Sequence, residues 1–203
     1  MSTTAPTLVL ASRSAIRGKL LADAGIAFVT DAADVDEEAL GRAILDPAGR
    51  ALRLATEKAQ AVSARRPGAW VLGVDQVGVL EDGSFLEKPR DAVDQARMLC
   101  AMSGRAHTFF VACALAQDRE VRATVAEAAT VHFAPFDAAT ASAYAATGEG
   151  RWSCGGYESE NRGAQLIAKV DGSLQVVLGL PLFSVLAALR QLAPGLLLGR
   201  ATP

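Results

Sequence analysis

Apolar and polar residues alternate in blocks that predict strands interleaved with helices. The first block is an apolar run at residues 8–10, followed by two serines and then by apolar residues at helical spacing. This pattern predicts a strand and a helix that takes Ser14 as its N-cap and ends at Gly25. We expect four side chains to be buried on one face of this helix: Ile16, Leu20, Leu21 and Ala24.

The same signals divide the rest of the chain. Further strands are predicted at residues 27–29, 70–74, 77–80, 107–115, 121–133 and 166–170, and further helices at residues 47–67, 91–102, 137–146 and 182–192. The strand at 70–74 is expected to end on Asp75 and Gln76, and Asp82-Gly83 predicts a hairpin turn. Residues 148–163 are expected to form a loop over a site, and residues 194–203 a mobile tail.

The order of these elements predicts the fold class. Helices that interleave with strands favour an α/β fold. The hairpin, together with two long strands joined by a polar turn near Asp118, adds antiparallel pairing, so we predict a mixed β-sheet flanked by helices. A chain of 203 residues is long enough for one core, or for two lobes that share one.

Composition and charge exclude several classes of function. The net charge of −2 provides no basic footprint for a nucleic-acid polymer. No apolar run reaches the ~18–20 residues that span a bilayer, and the first residues lack the basic stretch of a secretion signal. We therefore expect a cytoplasmic protein that does not bind membranes, in which Cys100, Cys113 and Cys154 are free thiols.

Several familiar catalytic motifs do not occur in the sequence. It has no G-x-x-x-x-G-K-[ST] phosphate loop, no G-x-G-x-x-G dinucleotide loop after the first strand, and no C-x-x-C or H-E-x-x-H pair for zinc. The two histidines, His107 and His132, lie in strand patterns and are expected to be surface or core residues. A hydrolase with a Ser-His-Asp triad is therefore not favoured.

The start of the first helix carries several residues that can bind an anion. A helix N-terminus presents unpaired N–H groups and the positive end of the helix dipole. Ser12, Ser14 and Arg17 add two hydroxyls and a cation at this point, which suits a bound phosphate. An ordinary capped helix is the alternative that the local pattern alone favours.

Two acids and two lysines complete the candidate set. Asp75 follows an apolar strand, Glu37 lies in an acidic segment, Lys58 lies on an apolar-faced helix and Lys88 precedes Pro89. Taken singly, they indicate a strand-ending aspartate, a solvated or helix-starting glutamate, a surface lysine and a plain turn. Taken together, two carboxylates can hold a hard divalent cation, and the lysines can neutralise phosphates.

Seven short motifs follow one another along the chain. They are Ser12-x-Ser14-x-x-Arg17, Val35-Asp36-Glu37, Leu54-Ala55 with Lys58-Ala59, Gly73-x-Asp75-Gln76, Lys88-Pro89, Ser103-Gly104 and Gly179-Leu180-Pro181-Leu182. Their order resembles that of the Maf family of nucleoside triphosphate pyrophosphatases, over nearly the whole chain. The ordered combination is far more specific than any one of its motifs.

This resemblance implies a fold and a reaction. The fold would be a single Maf-like domain over residues 1–203, with two lobes around a mixed sheet and the substrate in a cleft between them, similar to inosine triphosphatase. The reaction would be hydrolysis between the α- and β-phosphates of a nucleoside triphosphate, with a divalent cation such as Mg²⁺, Mn²⁺ or Co²⁺. A homodimer is also implied.

The resemblance also implies a role for each candidate residue. Asp75 would be the catalytic base that activates water, and Glu37 would share the metal with it. The triphosphate would be bound by Ser12, Ser14, Arg17, Lys58 and Lys88.

Three positions at which family members differ bear on the choice of nucleobase: Ile16, Gln76 and Glu160. Gln76 in place of threonine, together with Glu160, resembles the branch that prefers 7-methyl-GTP, since a carboxylate suits a purine edge or a cationic base. Ile16 matches neither the tryptophan of that branch nor the arginine of the dTTP/UTP branch. We expect a 7-methyl-GTP pyrophosphatase, with a dTTP/UTP pyrophosphatase or an inactive nucleotide-binding regulatory module as alternatives.

Overall fold

Six strands form one mixed sheet in the computed structural model, which describes residues 7–41 and 43–198. In chain order they are β1 (Leu8–Ala11), β2 (Phe28–Thr30), β3 (Trp70–Leu80), β4 (Ala106–Gln117), β5 (Glu120–Phe133) and β6 (Ile167–Asp171). The strands lie in the order β2-β1-β3-β4-β5-β6. β1 pairs parallel with β2 and β3, and β5 pairs antiparallel with β6, so the predicted mixed sheet of an α/β fold is confirmed.

Helices connect most of these strands. Within the described residues they are α1 (Ala15–Asp23), α2 (Glu37–Gly41), α3 (Pro47–Ser63), α4 (Ala92–Met102), α5 (Ala138–Ala146), α6 (Leu174–Val177) and α7 (Leu182–Leu192), with 3-10 helices at Arg162–Leu166 and Pro194–Leu196. All five predicted helices are confirmed. The sequence does not predict α2 and α6, because five and four residues are too few to show a helical period. Residues 199–203 of the predicted tail lie outside the described residues.

β3 differs from its prediction. The expected strand end at Asp75 and Gln76 is wrong, because β3 continues without a break to Leu80. Val74 and Val77, on either side of the polar pair, are both buried. The strand therefore stays in the core while it carries a carboxylate at its middle.

Two turns lie where the sequence places them. After β3, Leu80 donates its N–H to the carbonyl of Ser84 at 2.9 Å, which closes the predicted hairpin. Between β4 and β5, Asp118 and Arg119 have φ values of 50° and 70°. Two consecutive positive φ values are typical of the tight turn that matches the twist of a hairpin.

α1 begins and ends as predicted but buries less of its surface than expected. Ser14 is the N-cap residue, although its side chain makes no capping hydrogen bond, and Gly25 follows the helix with a φ of 73°. Only Leu21 of the expected face is fully buried. The other three residues of that face stay partly exposed: Ile16, Leu20 and Ala24. α1 contacts β2, the edge strand, which covers less of a helix than the middle of a sheet.

α3 lies against β3 so closely that no side chain fits between them at Gly73. A Cβ atom at Gly73 would lie 2.2 Å from the carbonyl oxygen of Ala55 and 2.6 Å from the backbone nitrogen of Ala59. Glycine therefore lets the helix backbone touch the strand. Because Lys58 directly precedes Ala59, this contact holds Lys58 beside β3.

The chain divides into two compact units. The first comprises the described residues up to Gln76, Val111–Glu127, and those from Gly179 onward, and the second comprises Val77–Phe110 and Ala128–Leu178. The second unit contains two of the candidate residues, Lys88 and Glu160. The other candidate residues all belong to the first unit.

A buried histidine lies in an aromatic cluster of the second unit. His107 is 1% exposed and packs against the rings of Phe109, Phe133 and Tyr157. Its Nε2 is hydrogen-bonded to the hydroxyl of Tyr157 at 2.7 Å, while its Nδ1 has no partner among the described residues. Burial lowers the pKa of His107 to about 4, so the ring is neutral at neutral pH. The other histidine, His132, lies partly exposed beside Asp171.

This burial makes the stability of the fold depend on pH. Below the ordinary histidine pKa of about 6.5, the unfolded chain binds a proton that folded His107, with its pKa of about 4, does not bind. The free energy of unfolding therefore falls as the pH drops through this range. Between about pH 7.5 and about pH 4.5 we expect His107 to account for a loss of about 2 to 3 kcal/mol.

The variant His107→Phe isolates this contribution, because phenylalanine fills the aromatic cluster and does not titrate. Urea unfolding at both pH values is expected to show a smaller acid-induced loss in the variant than in the unaltered chain. An equal loss in both proteins would contradict the assignment to His107.

Candidate functional site

The turn between β1 and α1 brings Ser12 and Arg17 together. Ser12 is 9% exposed, and its Oγ accepts hydrogen bonds from the N–H of Ser14 at 3.2 Å and from Nη1 of Arg17 at 3.1 Å. The hydroxyl is the acceptor in both bonds, so its own hydrogen can be donated to another group. The start of α1 thus combines a hydroxyl donor with a cation, as an anion site requires.

The guanidinium of Arg17 is held by the backbone of two distant segments. Its Nε donates to the carbonyl of Gly179 at 2.9 Å, and its Nη1 also donates to the carbonyl of Val74 at 3.2 Å. These bonds tie the start of α1 to β3 and to the segment before α7. Burial lowers the pKa of Arg17, whereas the nearby charge of Asp75 raises it.

Lys58 lies between two carboxylates. Its Nζ is 2.6 Å from Oδ1 of Asp75 and 3.0 Å from Oε1 of Glu37. The side chains of Lys58 and Asp75 are only 10% and 8% exposed, and a charge buried this far requires an opposite partner. The interpretation of Lys58 as a surface lysine is therefore wrong. For Glu37 the helix-starting interpretation is confirmed, since it is the first residue of α2.

Asp75 is a buried carboxylate beside two cations. Burial raises its pKa, while Lys58 and, less strongly, Arg17 act in the opposite direction. A raised pKa makes a carboxylate a better proton acceptor, and the neighbouring cations favour its ionised form, which is the form that accepts a proton. Asp75 thus has the properties of a general base.

The carboxylates of Asp75 and Glu37 provide oxygen ligands of the kind that hard divalent cations prefer. Both converge on one point, which Lys58 Nζ shares. Among the residues that the structure describes, no group of three or more His, Cys, Asp or Glu side chains could hold a metal ion. The donor chemistry therefore fits a cation held by two protein carboxylates, with its other ligands supplied by substrate or water.

Gln76 and Arg17 meet at Gly179. A Cβ atom at Gly179 would lie 2.9 Å from Oε1 of Gln76 and 3.3 Å from Nη2 of Arg17. Ile16 precedes Arg17 on α1 and is partly exposed. Through these contacts the first unit brings together most of the candidate residues: Ser12, Ser14, Arg17, Glu37, Lys58, Asp75 and Gln76.

The second unit places Lys88 and Glu160 in separate segments. Lys88 is exposed and follows the hairpin after β3. Glu160 lies in the turn before the 3-10 helix Arg162–Leu166. Partial burial raises the pKa of Glu160, as do the charges of Glu158 and Glu149. Glu158 and Glu149 thus add negative charge near Glu160, and Arg162 pairs with Glu149 at 3.2 Å.

The segment at residues 148–163 is fastened to its own unit. Gln95, which is 1% exposed, donates from Nε2 to the carbonyl of Glu149 at 2.6 Å and to that of Gly156 at 2.8 Å. Tyr144 Oη accepts a hydrogen bond from the N–H of Glu158 at 3.0 Å. The expected loop is therefore pinned at both ends, while Trp152 between them is 78% exposed.

Sequence reasoning misses three residues that shape the site and the segment of Glu160: Gly73, Gln95 and Gly179. Gly73 and Gly179 stand inside quoted motifs, and a lone glycine within a buried strand indicates close backbone approach. That signal was available for Gly73. Gln95 gives no such signal, because its two acceptors are backbone carbonyls more than fifty residues away.

Comparison with known proteins gives the chain a family. The sequence matches the family model described as "Maf-like protein" over residues 7–192. A nucleoside triphosphate pyrophosphatase of Nitrobacter hamburgensis is 40% identical over 188 residues, which cover 90% of this chain and 92% of that protein. A dTTP/UTP pyrophosphatase of Symbiobacterium thermophilum is 41% identical over 185 residues, or 91% of this chain and 93% of that protein.

A HAM1 protein from Coxiella burnetii has a TM-score of 0.45 and 17% identity, over 64% of this chain and 74% of that one. This structural similarity is too low to add to the fold class that the strand order shows. Among the described residues, no helix is long and apolar enough to cross a membrane. The family match spans all seven motifs and the relatives align over most of their length, so the chain belongs to the Maf family.

Proposed function

We propose that this chain is a nucleoside triphosphate pyrophosphatase that releases a nucleoside monophosphate and pyrophosphate. The observation that carries the proposal is the buried Asp75–Lys58 pair beside Arg17 and Ser12. A buried base in contact with one cation and near a second is suited to phosphoanhydride hydrolysis. The names of the relatives support the same reaction class.

The roles of the residues follow from their contacts. Asp75 accepts a proton from water as the water oxygen bonds to the α-phosphorus, and the bond from that phosphorus to the α–β bridging oxygen breaks. The electron pair leaves with pyrophosphate. Lys58 and Arg17 stabilise the negative charge that develops. The Ser12 hydroxyl and the N–H groups at the start of α1 bind phosphate oxygens.

Two further triphosphate contacts are proposed on the family resemblance. The Ser14 hydroxyl, which makes no capping hydrogen bond, is available to donate to a phosphate oxygen. Lys88, in the second unit, carries an exposed ammonium that can neutralise phosphate charge.

Glu37 and Asp75 are the residues that would hold a divalent cation, with Mg²⁺, Mn²⁺ and Co²⁺ as candidates. Such a cation, when bound, polarises phosphate oxygens and neutralises their charge. Lys58 competes for the same carboxylate oxygens, since its ammonium contacts both. We therefore propose weak metal binding in the free protein that strengthens when a triphosphate adds its own oxygens.

We further propose 7-methyl-GTP as the preferred substrate. The carboxylate of Glu160, with Glu158 and Glu149 nearby, favours a cationic base over a neutral pyrimidine. Gln76 adds an amide that can pair with a base edge. The chain lacks an aromatic platform at Ile16, and the name of the Symbiobacterium relative makes dTTP and UTP the second candidates.

A screen for pyrophosphate release tests the reaction and the substrate together. Each standard triphosphate and 7-methyl-GTP is offered with Mg²⁺, Mn²⁺ or Co²⁺, and we expect one monophosphate per pyrophosphate. The ratio kcat/KM should be about tenfold or more higher for 7-methyl-GTP than for dTTP, because a site that binds one base edge leaves polar groups unpaired with another. A preference for dTTP or UTP would refute the proposed base choice but not the reaction.

Two analogues locate the bond that breaks. A triphosphate with a methylene group between its β- and γ-phosphates should still be hydrolysed, whereas one with methylene between its α- and β-phosphates should not. Chelation of the metal with EDTA should stop turnover. Nucleotide binding without turnover under every metal would instead favour the inactive regulatory module.

Two expectations complete the proposal. We propose that the protein acts in the cytoplasm, where the nucleotide pools are, and that it forms a homodimer. Light scattering coupled to size-exclusion chromatography measures the mass in solution, and a mass of about one chain would contradict the homodimer.

A further inference from the structure

We infer that Gly179 is a positioning residue that fixes Arg17 and Gln76 relative to each other, and so couples triphosphate binding to the choice of base. The inference rests on the proposed function, in which Arg17 binds phosphate and Gln76 faces the base. Gly179 itself is not proposed to touch the substrate or the reacting atoms. It acts through the two side chains that it contacts.

Gly179 contacts Arg17 in two ways. Its carbonyl accepts the hydrogen bond from Arg17 Nε at 2.9 Å. Its missing side chain leaves room for the guanidinium, because a Cβ atom would lie 3.1 Å from Nε and 3.3 Å from Nη2. Both contacts bear on one planar group, so a shift at Nε also moves Nη1 and its hydrogen bond to Ser12.

Gln76 is the nearest neighbour of the same empty position. A Cβ atom at Gly179 would lie 2.9 Å from Gln76 Oε1, closer than nonbonded carbon and oxygen approach. The backbone of Gln76 is fixed within β3, so a methyl group at Gly179 would turn the Gln76 side chain away. One added methyl group thus displaces a phosphate-binding side chain and a base-facing side chain together.

The backbone at this point cannot easily retreat. Gly179 has a φ of 88°, which other residues rarely adopt. The next residue, Leu180, is fully buried and accepts a hydrogen bond from the N–H of Leu182 at 2.8 Å. The side chains of Arg17 and Gln76 therefore have to move to make room for a Cβ atom.

The expected signature is a change in substrate binding and selectivity that exceeds the change in turnover. A Cβ atom at Gly179 has neither Asp75 nor Lys58 among its nearest atoms. The displaced Arg17 stabilises developing charge less well, so we expect kcat to fall, but by a smaller factor than KM rises. Misplacement of a substrate-positioning group by about 1 Å can cost about 10²-fold. For the smaller shift here, we expect KM to rise about tenfold and the 7-methyl-GTP to dTTP ratio of kcat/KM to change about fivefold.

Gly83→Ala is the matched control for Gly179→Ala. Gly83 has a φ of 83°, so alanine meets nearly the same backbone strain, but its Cβ atom would have no other group within 4 Å. We expect Gly83→Ala to show the loss of thermal stability that backbone strain alone causes, and Gly179→Ala to lose more because its methyl group also meets Gln76 and Arg17. Only Gly179→Ala should change KM and selectivity.

The double variant Gly179→Ala with Gln76→Ala adds a rescue test. Shortening residue 76 removes the closest obstacle to the new methyl group, so Gly179→Ala should raise KM by a smaller factor in the Gln76→Ala background than in the unaltered chain. If Gly179→Ala does not fold, Arg17→Lys takes its place, because lysine keeps the charge but has no Nε–H for the Gly179 carbonyl. It is expected to change the selectivity ratio as well, because the Gly179 carbonyl loses the bond that holds residue 179 in place beside Gln76.

Two results would overturn different conclusions. KM and selectivity equal to those of Gly83→Ala, or an unchanged ratio in Arg17→Lys where that variant is needed, would overturn the role of Gly179. Failure of the unaltered chain to release pyrophosphate from any triphosphate would overturn the proposed function, and the inference with it. The unaltered chain is measured first, so the two failures are told apart.

Discussion

Asp75→Asn is expected to reduce pyrophosphate release by about 10²- to 10⁴-fold, the contribution typical of a general base. Asparagine has nearly the same shape but cannot accept the proton of the attacking water at neutral pH. It can still accept a hydrogen bond from Lys58, and Glu37 at 3.0 Å remains a partner for that ammonium. The fold should therefore persist, and kcat should fall more than KM rises.

The matched control for this prediction is Asp31→Asn. Asp31 also pairs with cations of the first unit, Arg65 and Arg66, each at 2.6 Å, but it has no part in the proposed chemistry. The Asp31→Asn variant is expected to have a lower midpoint of thermal unfolding and an unchanged kcat. Circular dichroism verifies that both variants are folded, and full activity in a folded Asp75→Asn protein would remove Asp75 from the mechanism.

The helix boundaries could be predicted because their signals are local. Asp91 and Asp137 each stand one residue before a helix, and each accepts a hydrogen bond from the N–H three residues later. Pro47 stands at the start of α3. Proline lacks an N–H group, and at this position a helix makes no internal hydrogen bond from that group. A cap and its helix lie within one turn of chain, so the sequence alone contains the whole interaction.

β3 could not be predicted in full because the partner of its polar residue is distant. An aspartate after an apolar run indicates the end of a strand unless a cation accompanies it into the core. Lys58 is that cation, seventeen residues earlier on α3. Only the packing of α3 on β3 brings the two charges together, so the pattern along the strand cannot show it.

The candidate site was predicted as a set of residues rather than as an arrangement. The family resemblance supplied the positions, including Arg17 and Glu37, but not their contacts. Arg17 was expected to be a cation directed at phosphate, and the structure shows that it is also bonded to the carbonyl of Gly179, 162 residues away. Every residue has a backbone carbonyl, so the residue type at position 179 does not reveal that its carbonyl binds Arg17.

Gly73→Ala is expected to lower the free energy of unfolding by about 3 kcal/mol or more, the upper range for an overpacked core. Propensity alone predicts the opposite sign, since alanine is favoured over glycine inside a strand by roughly 0.5–1 kcal/mol. The added Cβ atom would lie 2.2 Å from the carbonyl oxygen of Ala55, so α3 has to move away from β3. Lys58 moves with α3, and the loss of its contact with Asp75 should reduce activity as well.

Gly78→Ala, in the same strand, separates backbone crowding from side-chain crowding. Its Cβ atom would lie 2.9 Å from Leu86 Cδ1 and from Phe109 Cε1 and 3.1 Å from Leu86 Cβ. All three are side-chain atoms, whereas the two closest atoms at Gly73 belong to the backbone of α3. Urea unfolding should therefore show a clearly smaller loss for Gly78→Ala than for Gly73→Ala, with kcat preserved. A Gly73→Ala protein as stable as the unaltered chain would contradict the close packing of α3 on β3 at Ala55.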